Sequence, residues 1–318
     1  MRTFLQIVFL FIIYQLSFIP ARAQVFVELN CENLFDYQHD EGKEDTEFTP
    51  SGAHHWTRTR YWQKLNNIGQ ELLSCSDQLP DLVALVEVEN DTTLHDLTRR
   101  SLLRGAGYEY LMTNSPDVRG LDVALLYQPT RFRPICCDNL TVPLLKDMRP
   151  TRDILYVEGE TVKGDTLHIF VVHAPSRYSG ELETRAQRTQ VMNVLLAALC
   201  PLAGQKIIVA GDFNDYAKSP SVRMLSDSIL VNVSQDAEGR YGNARGTYRY
   251  RGEWRSIDHV LVSPELVLRV DSVLINDAPF LLEPETTYGG WTPRRTYQGY
   301  RYQSGYSDHL PLVVQFKQ

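Results

Sequence analysis

Nine side chains able to ligate a cation or move a proton fall at the ends of short apolar segments. Asn30, Glu32, Glu87, His173, Asp212 and Asn214 sit at or just past a C-terminal end, and Asp258 and the pair Asp308-His309 stand just before an apolar start. In Asn30-x-Glu32 and Asp212-x-Asn214 one residue separates the pair, so in extended backbone both side chains leave from the same face and can meet one ligand. Gly211 lets the chain bend or approach closely, while Phe213 can turn back into a core. Any one Asp or Asn after a strand is more often a turn former, and a single His at a strand end is more often a satisfied rim residue. Turn propensity does not select carboxylates and histidines at so many strand ends together. A donor set rich in oxygen, without cysteine and with few histidines, suits a hard cation, Mg²⁺ or Mn²⁺, over zinc. Such an ion keeps waters and binds phosphate oxygens, which makes hydrolysis of a phosphate ester the natural chemistry.

The elements that must position these residues follow from the apolar pattern. Val25 to Leu29, Leu82 to Val88, Val123 to Tyr127, Leu167 to Val172, Lys206 to Ala210, Val260 to Val262 and Leu312 to Phe316 are Val/Ile/Leu-rich with little alternation, as strands covered on both faces are. Tyr61, Leu65, Ile68 and Leu72 repeat at helical spacing, as do Met192, Leu195, Leu196 and Leu199. Asn90-Asp91 offers an N-cap for a third helix ending near Gly105. Strands and helices alternate early and strands crowd mid-chain and at the end, which predicts an α/β fold of two packed sheets with helices outside. The rim placement of the polar residues agrees with where ligand sites form in such folds. Antiparallel pairing would bring Asp258 and Asp308-His309 to that rim. Gln38 to Thr57 and Glu283 to Ser307 are polar segments long enough to be functional or disordered loops.

The chain has 318 residues, 43% hydrophobic and 22% charged, as in an ordinary globular protein. Met1-Arg2-Thr3, the apolar stretch Phe4 to Ile19 and Pro20-Ala21-Arg22-Ala23 form the three parts of a cleavable signal peptide. The stretch is too short for a spanning helix, which needs ~20 residues. The expected organisation is a signal peptide over 1–23 and one domain over 24–318, exported to the periplasm or secreted, with no stable membrane anchor after cleavage. The net charge is −7, and losing two leader arginines would lower it by about two. That disfavours tight, non-specific duplex binding. Five cysteines, Cys31, Cys75, Cys136, Cys137 and Cys200, form no CxxC pair and describe neither a disulfide scaffold nor a zinc knuckle.

The stretches Asn30-Cys31-Glu32-Asn33-Leu34-Phe35, Pro80 to Glu87, Val172-His173-Ala174-Pro175-Ser176-Arg177, Gly211-Asp212-Phe213-Asn214-Asp215, Ser256-Ile257-Asp258-His259 and Ser307-Asp308-His309-Leu310-Pro311 occur in an order that resembles the endonuclease/exonuclease/phosphatase superfamily. The resemblance spans Gln24 to Gln318 and implies a four-layer α/β/β/α sandwich of two mixed sheets with outer helices. It implies Glu87 as main ligand of Mg²⁺ or Mn²⁺, with Asn30, Glu32 and Asp308 near the ion. Asp212 resembles the carboxylate that positions or deprotonates the attacking water, and Asn214 its partner in steadying phosphate. His309 resembles the phosphate-contacting histidine, oriented by Asp258, and His173 a second histidine that helps protonate the leaving oxygen in deoxyribonuclease-like members. Val86 stands where the family often has Gln, removing one polar contact.

Arg177 and Arg152 are the candidates for holding substrate phosphate. Asp122 either orients His173 or serves as a strand-start turn residue. Tyr288, Trp291, Tyr297, Tyr300 and Tyr302, interleaved with Arg294, Arg295 and Arg301, either stack bases or pack the last long segment onto the fold. The expected activity is phosphodiester or phosphomonoester hydrolysis by a monomer. Nucleic acid is the first substrate, a phospholipid head group or inositol phosphate the second, and an inactive phosphate-binding module the remote alternative.

Overall fold

The computed structural model of the chain describes residues 23–146, 148–177 and 180–317. The signal-peptide reading falls outside those residues except at Ala23. Among the described residues, no helix is long and apolar enough to cross a membrane.

In chain order the strands are β1 (Gln24–Leu34), β2 (Leu82–Val88), β3 (Glu109–Met112), β4 (Asp122–Tyr127), β5 (Phe132–Leu140), β6 (Ile154–Thr161), β7 (Thr166–His173), β8 (Ile207–Asp212) and β9 (Val231–Asn232). There follow β10 (Tyr248–Tyr250), β11 (Glu253–Arg255), β12 (Asp258–Val262), β13 (Val270–Ile275), β14 (Leu282–Pro284), β15 (Trp291–Pro293), β16 (Tyr297–Gln298), β17 (Arg301–Tyr302) and β18 (Leu312–Phe316). Two six-stranded mixed sheets result, ordered β13-β18-β1-β2-β4-β3 and β5-β6-β7-β8-β12-β9. All seven apolar segments read from the sequence fall on strands of these sheets, with only Lys206 lying just ahead of its strand. The edge strands β3, β5 and β13 were not read individually, because half-exposed residues such as the FRPICCDNL of β5 carry no apolar run.

Side-chain alternation assigns three cores. Phe26, Ala84, Val86, Leu125, Ile169, Val171, Ile208, Ala210, Val260 and Leu312 meet between the sheets. Val25, Val27, Leu29, Val83 and Leu85 point the other way, under the helix Arg58–Leu73 with its Tyr61, Leu65, Ile68 and Leu72. Phe170, Val172, Ile207 and Val209 lie under the helix Glu181–Leu199 with its Met192 and Leu195. Helix, sheet, sheet, helix is thus the layer order, and the α/β/β/α expectation holds. Asn90 caps the helix Asp91–Arg99, its side chain accepting from Thr93 N at 3.0 Å. The long segments are ordered: Gln38 to Thr57 holds a 3-10 turn, Thr46–Phe48, and Glu283 to Ser307 folds into short hairpins built from β14 to β17.

Candidate active site

The alternation that fills the inter-sheet core also places the chemistry. Ile169 and Val171 are followed on the same face by His173, Ile208 and Ala210 by Asp212, and Val260 and Val262 are preceded by Asp258. Parallel β7–β8 pairing sets His173 opposite Asp212, and antiparallel β8–β12 pairing sets Asp212 opposite Asp258. These three side chains form one row along the rim of the second sheet. From the first sheet, Asn30 follows Phe26 and Glu28 on the inward face of β1.

Backbone strain turns further residues to this rim. Glu32, Asn33, Glu87 and Asn214 all have positive φ (49°, 56°, 61° and 49°), four of seven such non-glycine residues among those described. The bulge between Val86 and Val88 breaks the alternation, so Val88 joins the outer core and Glu87 is released toward the site. Conformations of this kind cost roughly 1–3 kcal/mol each and persist where surroundings over-determine them.

Hydrogen bonds join the two sheets' contributions. Asn30 Nδ2 donates to Asp212 Oδ2 at 3.1 Å, and Asn214 Nδ2 donates to the same oxygen at 3.2 Å and to Ala174 O at 3.1 Å. Asn214 N donates to Asp212 Oδ1 at 2.7 Å. Glu87 Oε2 accepts from Asn33 N at 2.7 Å, and Arg119 donates to Asn33 Oδ1. His173 Nε2 lies 3.7 Å from Glu87 Oε1 and 3.9 Å from Asp212 Oδ2. His309 Nδ1 lies 2.8 Å and 3.0 Å from the two oxygens of Asp258, which also accepts from Thr247 Oγ1. The ring of Tyr248 lies against His309, centroids 4.9 Å apart.

The electrostatics separate the two histidines. Burial opposes charge on His309, but Asp258, which also accepts its hydrogen bond, outweighs it with help from Asp308 and Asp212, and the ring's pKa is held well above its ordinary value. Burial drives His173 the other way, reinforced by Arg152 and Arg119, to well below the ordinary value. The surroundings of His309 therefore favour the protonated ring, which suits a phosphoryl oxygen, whereas those of His173 disfavour it, which fits a hydrogen-bonding role better than the proton-donating one its resemblance implies. Burial first and Asp258 second push Asp212 up to about 8. Asp258→Asn should weaken His309's hold on its proton, lower turnover by ~10²–10⁴-fold and move the alkaline limb of the pH–rate profile toward neutrality. An unmoved limb would detach His309 from that limb.

Several expected residues are placed differently. Asp122 does not orient His173: its Oδ1 accepts from Ser115 N at 2.9 Å and from the hydroxyls of Thr113 and Ser115. His173 Nδ1 is buried without a hydrogen-bond partner among the described residues. Arg152 is not available to substrate, being 7% exposed, bonded to Asp117 at 3.2 Å and to Ala174 O at 3.1 Å. It braces the segment after His173. Arg177 reaches Asp215 at 3.5 Å and lies 4.7 Å over the Tyr216 ring. Glu32 is not an open ligand: Thr296 N donates to Oε2 at 2.6 Å, and Tyr297 N and Arg295 Nε reach Oε1 at 3.4 Å and 3.3 Å. Asp308 does line the site, with Arg295 Nη2 on Oδ2 at 2.9 Å and His309 Nε2 3.9 Å from Oδ1.

Three residues escaped the sequence reading. Glu28 is wholly buried, both oxygens without a hydrogen-bond partner among the described residues, and burial first, then Asp258 and Asp212, push its carboxyl well above the usual carboxylate range. Its signal was a charge inside an apolar strand. Lys64 is 1% exposed and donates to Thr296 Oγ1 at 2.6 Å and to Tyr306 O, its Nζ 3.9 Å from Glu32. Its signal was its position, three residues after Tyr61 on the apolar face. Arg295 was read only as one member of an aromatic-arginine run.

The donor chemistry fits a divalent ion. Asp212, Asp258 and His309 each offer a ligand atom within 4.8 Å of one another, but the His309–Asp258 hydrogen bond already engages two of them. Glu87 Oε1 and Asp308 Oδ1, by contrast, accept no hydrogen bond among the described residues. The burial, and after it the neighbouring Asp258, that raise Asp212 are the setting a bound cation relieves.

The chain belongs to the endonuclease/exonuclease/phosphatase family, whose sequence model matches residues 25–318. Members generally hydrolyse phosphate esters and typically depend on a divalent metal. No curated protein matches by sequence. Among solved structures, a family protein from Bacteroides thetaiotaomicron is similar at TM-score 0.62 and 15% identity, over 93% of this chain and 97% of that one. A mannosyl-6-phosphatase of the same organism gives 0.60 and 17%, over 93% and 100%. Humanized D. rerio TDP2 gives 0.57 and 14%, over 93% and 99%. At such identities the likeness speaks for the fold.

Proposed function

We propose that the protein is an exported, Mg²⁺- or Mn²⁺-dependent hydrolase of phosphate esters. The observation that carries this reading is the single rim row His173–Asp212–Asp258, with His309 bound to Asp258 and Glu87 turned toward it by a strained backbone. Asp212 would aim a water at phosphorus and take its proton, while Asn30 and Asn214 hold that carboxylate in place. His309, kept charged by Asp258, would pair with a phosphoryl oxygen and stabilise charge developing there. Glu87, with Asn30 and Asp308, would hold the ion, which polarises the phosphate and acidifies bound water.

Purified protein should hydrolyse a generic aryl phosphodiester with Mg²⁺ or Mn²⁺ and stop in excess chelator, and undiminished turnover in chelator would reject the metal. Glu87→Gln keeps size and removes charge. In a Mn²⁺ titration it should weaken affinity by about tenfold or more, and unchanged affinity would remove Glu87 as the main ligand. Export is tested by sequencing the mature N-terminus, with Gln24 expected.

Nucleic acid remains the first substrate to test, with phospholipid and inositol phosphates beside it in one screen. Tyr288, Trp291 and Tyr300 are exposed, as a stacking surface requires. However, Tyr297 packs on His54 and Trp56, and Arg60 lies over Tyr302, so part of the run serves the fold. We take the enzyme to act as a monomer.

A further inference from the structure

Arg295 stands in the final long segment, outside the motifs, yet its guanidinium enters the site. Nη2 donates to Asp308 Oδ2 at 2.9 Å and Nε to Glu32 Oε1 at 3.3 Å. Nη1 has no partner among the described residues, and the side chain is 40% exposed. The segment that presents it is fixed from behind. Glu32 accepts from Thr296 N and Tyr297 N, Lys64 donates to Thr296 Oγ1, and Asn67 Nδ2 donates to Gly305 O at 2.6 Å. A Cβ at Gly305 would lie 2.1 Å from the carbonyl oxygens of both Arg294 and Arg295, so the chain closes on itself at this point. A guanidinium anchored through Nε on Glu32 and Nη2 on Asp308, with Nη1 unspent among the described residues, is positioned for an incoming anion.

We propose that Arg295 is a specificity-determining residue that engages the extra non-bridging oxygen of a phosphate monoester, so that the site prefers a dianionic terminal phosphate to a diester. The inference rests on the hydrolase reading and, within it, moves a terminal phosphate monoester ahead of the nucleic-acid diester. A diester phosphate has two non-bridging oxygens and one charge. A monoester has three oxygens and, with a second pKa of about 6, close to two charges at neutral pH. The rim acids repel that added charge, and Asp308 and Glu32 are the two that Arg295 contacts. The Arg295 guanidinium, bonded to both acids, offsets that repulsion. Lys64 cannot serve, being buried and committed to Thr296 and Tyr306.

The test is calorimetric titration of inorganic phosphate, and separately of dimethyl phosphate, into Mg²⁺-loaded wild type, Arg295→Lys and Arg295→Gln, with Mn²⁺ affinity measured in parallel. Expected are tighter binding of phosphate than of dimethyl phosphate by wild type and a loss of about tenfold or more for phosphate in Arg295→Gln. Arg295→Lys, which keeps charge without the fork, should fall between, dimethyl phosphate should change little, and Mn²⁺ should bind no more weakly, because Arg295→Gln removes a cation from beside Asp308. Phosphate affinity within a factor of about two of wild type in Arg295→Gln, equal losses for both ligands, or a loss confined to Mn²⁺ would each overturn the proposal. Should Arg295→Gln fail to fold, Arg295→Lys decides, since an unaltered preference there rejects the fork. Arg295-dependent phosphate binding without turnover would defeat the hydrolase reading and leave this inference standing. Turnover with preference untouched would defeat this inference alone.

Discussion

Asp212→Asn should fold, bind substrate and lose turnover by about 10³-fold or more, because it keeps the shape of the side chain and removes the carboxylate held by the side-chain amides of Asn30 and Asn214. Hydrolysis of an aryl phosphodiester under saturating Mg²⁺ measures it, and activity within tenfold of wild type would reassign the base. The same variant should be more stable than wild type in the metal-free state at alkaline pH. Burial and the neighbouring Asp258 raise Asp212 from 3.8 to about 8. The folded form therefore binds this proton more tightly than the unfolded chain. Stability from that proton is fully present below the unfolded value and is lost as pH rises through about 8. Metal-free wild type should melt lower at pH 9 than at pH 6, and Asp212→Asn should flatten that dependence. Added Mg²⁺ should do the same in wild type by supplying the missing counter-charge.

Gly211→Ala should cost more than any surface change, and its readout is soluble yield and thermal melting. Gly211 has φ +142°, and a Cβ there would lie 1.8 Å from Val172 O, a backbone atom of the neighbouring parallel strand. No rotamer avoids that clash, so β7 and β8 must separate next to His173 and Asp212. The variant is expected to be insoluble, or folded with a strongly lowered melting temperature and no activity. Wild-type stability would show that β8 can shift without loss.

Much of this was legible because β-structure writes itself as apolar runs and because catalytic groups terminate them. The central strands were read this way, and their antiparallel pairing does bring Asp258 and His309 to the same rim as Asp212. What was illegible depends on contacts between distant segments. Asp122 stands at a strand start beside the site, but which neighbour its carboxylate meets is decided by the turn carrying Thr113 and Ser115. Glu32 sits at ligand spacing from Asn30, yet a positive φ and the amides of Thr296 and Tyr297, more than 260 residues away, decide where it points. Arg152 carries a charge that sequence alone places on the surface, and only the fold reveals Asp117 and the Ala174 carbonyl around it.

Each sheet owns only part of the catalytic apparatus. Asn30, Glu87, Asp308 and His309 come with the first sheet, and His173, Asp212 and Asp258 with the second. What keeps the two parts in register is the apolar filling between them, from Phe26 and Val86 to Ile169 and Val260. Enlarging or shrinking a side chain deep in that filling alters the spacing between the sheets before it melts either. Such a change, far from any reacting atom, would disturb the Asn30–Asp212 hydrogen bond that joins the sheets, so turnover is expected to fall before the melting temperature does.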